Sequence, residues 1–74
     1  MRTFLKVIFN SEGTKPSEVV GRLRSLGFTL IKGEHDMVYE WPDSATADDA
    51  IWFADKIQAT LQGFNIYFEI ETLD

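Results

Sequence analysis

Cysteine is absent from the 74-residue chain, which excludes a disulfide framework, a thiolate metal centre and a cysteine nucleophile. So short a chain sits near the lower limit for a single core, so packing or association must supply what cross-links do not. Long apolar runs are missing too: no stretch approaches the ~18 residues of a membrane span. Met1-Arg2-Thr3 leads directly into a strand-like segment carrying Lys6, without the apolar run of a secretory signal. The expectation is a soluble, cytoplasmic, one-domain protein with no membrane partner.

Positive charge is scarce. Seven Lys and Arg stand against twelve Asp and Glu, a net charge of −5. Phosphate backbones are held largely through Lys and Arg, so nucleic acid is not expected as a partner. Histidine occurs once, at His35 between Glu34 and Asp36, and no serine or acid is placed to form a catalytic group with it. The neighbours of a residue in a turn point in different directions, so His35 is expected as a solvated loop residue. Asp43, Asp48 and Asp49 lack the spacing of a calcium loop and are explained by helix capping. No enzyme activity, metal or cofactor is expected.

What is present is clear patterning. Phe64 to Leu73 alternates, with Phe64, Ile66, Phe68 and Ile70 on one face and Asn65, Tyr67, Glu69 and Glu71 on the other. Thr3 to Asn10 alternates likewise, with Leu5, Val7 and Phe9 opposed to Phe4, Lys6 and Ile8. Between them, Val19, Val20, Leu23 and Leu26 recur at helical spacing, with Pro16 in the opening turn and Thr14 or Ser17 as cap. Gly27 stops that helix and Phe28 folds back on its last turn. Phe28–Ile31 and Met37–Trp41, separated by Lys32-Gly33-Glu34-His35-Asp36, read as a hairpin that Pro42 ends. A second helix opens at Thr46 and Asp49, spaced as a capping box. It aligns Ala50, Phe53, Ala54, Ile57 and Leu61 on one face and stops at Gly63 by the same device as the first.

The order β-α-β-β-α-β, with a right-handed crossover at each helix, implies an α+β, ferredoxin-like sandwich. Its four-stranded antiparallel sheet has the order 4-1-3-2, with two helices on one face. Many unrelated functions share that architecture, so function must be sought in surfaces.

The first surface is the sheet face left open by the helices. It is expected to present Phe4, Lys6, Ile8, Thr29, Ile31, Val38, Glu40, Asn65, Tyr67, Glu69 and Glu71, with Met37, Tyr39 and Trp41 turned to the core. Lys6 should lie near Glu69 and Glu40. Phe4, Ile8, Ile31, Val38 and Tyr67 form an apolar patch suited to a protein partner or to a second copy in a two-fold dimer. The second is Trp52, opposite the apolar stripe of its helix and so expected to be exposed, as contact tryptophans are. The third is the loop Asn10-Ser11-Glu12-Gly13-Thr14-Lys15 before a helix N-terminus, a generic anion position without phosphate-loop spacing. A glycine-bearing loop at this place resembles the ligand-side loop of regulatory amino-acid-binding (ACT-type) domains. That resemblance implies a small-ligand site at Gly13, Thr14 and Lys15. The leading expectation is a non-enzymatic interaction or self-association module using the open face; the alternative is an ACT-like ligand-binding domain.

Overall fold

Alternation in the first and last strands determines how the sheet is assembled. In the computed structural model, which describes residues 1–74, the elements are β1 (Arg2–Ile8), α1 (Pro16–Ser25), β2 (Thr29–Leu30), β3 (Met37–Glu40), α2 (Ala47–Leu61) and β4 (Tyr67–Leu73). All pairings in the four-stranded sheet are antiparallel, and its order is β2-β3-β1-β4. β1 lies between β3 and β4, with Leu5 opposite Met37 on one side and Ile70 on the other. No helix is long and apolar enough to cross a membrane.

The period of two turns Thr3, Leu5 and Val7 to one side of β1. There Leu5 and Met37 join Val19 and Leu23 of α1, Phe28 just after that helix, and Phe53, Ile57 and Leu61 of α2 in a single buried cluster. Both helices therefore cover the same sheet face. Burying each such aliphatic side chain contributes about 1.5–3 kcal/mol. Phe53 is the hub of the aromatic packing, with ring centroids 4.5 Å from Tyr39, 5.3 Å from Trp41 and 5.5 Å from Phe28. The expected inward set Met37, Tyr39 and Trp41 is thus on the core side.

The two helices end differently, although the sequence presents Gly-Phe after both. At α1 the Phe28 N–H donates to the Leu23 carbonyl and the Gly27 N–H to the Arg24 carbonyl, with Gly27 at φ 108°. That is the Schellman motif. After α2, Gln62 is already extended (φ −60°, ψ 133°), Gly63 has φ 84°, and the Phe64 N–H donates to the Leu61 carbonyl. This is a type II turn rather than a repeat of the first device. At the N-termini, α2 has the expected capping box: Thr46 Oγ1 accepts from the Asp49 N–H and Asp49 Oδ2 from the Thr46 N–H. α1 has none. Its N-cap is Lys15, without a side-chain hydrogen bond, and neither Thr14 nor Ser17 caps it; Thr14 instead gives its N–H to the Phe64 carbonyl.

Strand ends also move. β4 begins at Tyr67 because Asn65 adopts φ 55°, which breaks the ladder, while Phe64 and Ile66 still pack against the core. Phe9, expected inside with Leu5 and Val7, is exposed: β1 stops at Ile8, opposite the first residue of β4, and Phe9 leaves the ladder for the Asn10 turn.

Candidate protein-interaction face

The pairing register places the side chains of the open face in rows. Arg2 lies between Leu73 and Glu40; Phe4 lies between Glu71 and Val38, which in turn faces Thr29; Lys6 is opposite Glu69, and Ile8 opposite Tyr67. Charge pairing differs from expectation. Glu40 is engaged by Arg2, with Nε 3.0 Å from Oε1. Lys6 does not meet Glu40, because β3 begins opposite Leu5 and Glu40 lies at the other end of the β1 ladder, beside Arg2. Lys6 does neighbour Glu69, but no ion pair joins them.

The loop between β2 and β3 folds over part of this face, which the sequence pattern did not show. Its closing residue, Asp36, donates its N–H to the Leu5 carbonyl (2.9 Å) and accepts the Val7 N–H on Oδ2 (2.8 Å). The side chain thereby continues the β3–β1 ladder one step past Met37. His35 is carried onto the sheet, its ring centroid 5.1 Å from that of Phe4 and its Nε2 3.6 Å from Glu71 Oε2. The solvated position expected for His35 is not what forms. Phe4 and Ile31 are half-buried, and Val38, in the same row as Phe4, is only 9% exposed. Val38 points to the open side but cannot serve as an exposed contact residue.

What stays uncovered is the far end. Ile8 is 51% and Tyr67 71% exposed, and they are cross-strand neighbours with Phe9 next in the chain. Lys6 and Glu69 border them, exposed. The five-residue apolar patch contracts to this pair.

Trp52 is 61% exposed on α2, as its position on the helix wheel required, with Lys56 Nζ 5.1 Å above its ring. It forms the lip of a cleft of about 250 Å³ where the C-terminal end of α1 (Ser25, Leu26) meets α2 and the end of β3 (Tyr39, Trp41). The cleft floor is the aromatic hub around Phe53.

The loop between β1 and α1 is closed on itself. The Gly13 N–H donates to the Asn10 carbonyl, the Thr14 N–H to the Phe64 carbonyl, and the Glu12 N–H to Asn10 Oδ1. A Cβ on Gly13 would lie 2.4 Å from the Asn65 oxygen, so the glycine serves a backbone–backbone contact. The N–H groups of Gly13 and Thr14 that an anion would need are already bonded.

No family model, curated protein or solved structure matches the chain. The surfaces alone carry the functional reading.

Proposed function

We propose that this chain is a ferredoxin-like, non-enzymatic interaction module of strand order 4-1-3-2 that docks protein through the open sheet face, at the end marked by Ile8 and Tyr67. The supporting observation is that pair: two large apolar side chains, side by side on paired strands, both more than half exposed. Elsewhere the same face is roofed by the loop carrying His35 or lined by charges, with Leu73 exposed singly at the opposite end beside Arg2. The only histidine is engaged with Phe4 and Glu71 rather than with a nucleophile, which favours a binding role over a catalytic one.

A second copy of the chain is the first partner to test, because a patch placed about a two-fold axis is complementary to itself. Sedimentation equilibrium across a concentration series is expected to show a dimer. Changing Ile8 and Tyr67 together to glutamate should give a folded monomer, since both side chains leave the core untouched. Association that survives the double change would reject the face.

A further inference from the structure

The sheet has one long free edge. β4 pairs with β1 over all seven residues, and no other backbone hydrogen bond reaches Tyr67–Leu73. Which groups face outward follows from β1. The Met1 and Leu5 carbonyls and the Val7 N–H bond towards β3 and its flanking residues, so the odd-numbered residues of β1 point that way. In an antiparallel ladder the direction alternates. Arg2, Phe4, Lys6 and Ile8 therefore bond to their partners Leu73, Glu71, Glu69 and Tyr67. The remaining β4 residues, Phe68, Ile70 and Thr72, direct their N–H and carbonyl groups away from the sheet. This edge carries no proline, lysine or bulge of the kind that blunts strand pairing.

We infer that this edge receives an added strand from another protein, one with apolar residues at alternate positions and basic residues at the two central intervening positions. The backbone supplies the pairing, as in β-strand addition generally. The side chains supply the choice. On the open face β4 presents Tyr67, Glu69, Glu71 and Leu73, all exposed, so an incoming strand meets two carboxylates flanked by apolar ends. On the other face it meets Phe68 and Ile70, half-buried at the margin of the core, which suit apolar neighbours. The net charge of −5 adds a long-range attraction for a basic segment.

The same glutamates argue against a second copy at this edge. A two-fold antiparallel pairing centred on Ile70 sets Glu69 opposite Glu71 of the other copy, twice. Sliding one step either way sets Glu69 against Glu69 or Glu71 against Glu71. Within Tyr67–Leu73, these three are the symmetric registers that pair more than one outward-facing residue, and each opposes like charges, which is destabilising. The edge shares Tyr67 with the Ile8–Tyr67 patch, but it is engaged through the outward backbone of Phe68, Ile70 and Thr72 rather than through the sheet face, so either reading can fail without the other.

The test is amide exchange by NMR on the unmodified protein, alone and with two short blocked peptides, one alternating valine with lysine and one alternating valine with glutamate. The lysine peptide should slow exchange at Phe68, Ile70 and Thr72 by about tenfold or more, with little change at the already paired Tyr67, Glu69 and Glu71. The glutamate peptide should give no added protection, and the double variant Glu69→Lys with Glu71→Lys should reverse the preference. The inference is overturned if the lysine peptide protects none of the three amides, or if both peptides protect them equally. Protection of those amides that rises with protein concentration alone would also overturn it, because a second copy would then hold the edge.

Discussion

Thr3 is the one polar residue among the buried side chains, 2% exposed on the core face of β1. Its hydroxyl accepts the Trp41 Nε1–H at 2.8 Å and lies 2.8 Å from Thr72 Oγ1, so β1, β4 and the residue that follows β3 are tied by two hydrogen bonds at one end of the core. Thr3→Val keeps the shape and removes the acceptor, leaving the indole N–H without its partner. The expected cost is about 1–3 kcal/mol, read as a lower urea midpoint with an unchanged slope, and Thr3→Ser should recover most of it. A pair of glycines offers a sharper contrast. A Cβ at Gly13 would meet two backbone oxygens, at 2.4 Å and 2.9 Å, and backbone has nowhere to yield. A Cβ at Gly21, within α1, meets nothing within 4 Å. Gly13→Ala is expected to destabilise by about 2 kcal/mol or more, while Gly21→Ala should stabilise by about 0.5–1 kcal/mol through helix propensity. Thermal melts of the two variants check both signs at once.

The element that most changes the face is the short hairpin β2–β3. Its pairing covers only Thr29 with Val38 and Leu30 with Met37, so its loop is held down by Asp36 rather than by a long ladder. Asp36→Ala removes the acceptor of the Val7 N–H and is expected to cost about 1 kcal/mol. It should also speed amide exchange at Val7 and release His35 from Phe4, visible as a change in ring-current shifts at Phe4. Asp36→Asn keeps an acceptor and should retain most of the contact. Alternation in Thr3–Asn10 and Phe64–Leu73 made the two faces of β1 and β4 legible, because a period of two decides which side chains share a face. The capping pair Thr46 and Asp49 was legible because both partners lie within one turn. The roof over Phe4 was not. Residues 4 and 35 are distant in the chain, and a pattern that says which side Val38 faces says nothing of what lies above it. The end of β1 was hidden for a related reason: Phe9 continues the apolar alternation, but its pairing partner would have to come from Ile66, just beyond the turn imposed by Asn65.

At the scale of the whole molecule, the core is small for the surface it must balance. Ten of 74 residues are buried, and eight of them make the hydrophobic cluster. Association through Ile8 and Tyr67 would add apolar burial that the isolated chain lacks, and so would couple stability to concentration. For a dimer that unfolds to two chains, each tenfold increase in concentration adds ~1.4 kcal/mol per dimer, or about half that per protomer. For a domain of this size that corresponds to a rise in Tm of about 3–6 °C per decade. The paired change of Ile8 and Tyr67 to glutamate should flatten this dependence and leave the melting temperature near the dilute limit of the parent protein. A Tm independent of concentration in the parent would mean that the chain folds without its own copy, leaving the Ile8–Tyr67 end free for a different protein. A dependence that persists in the variant would place self-association on another surface, and the cleft beside Trp52 would be the next to alter. Trp52→Ala is the informative change there, because the exposed indole can be removed without opening the buried cluster around Phe53.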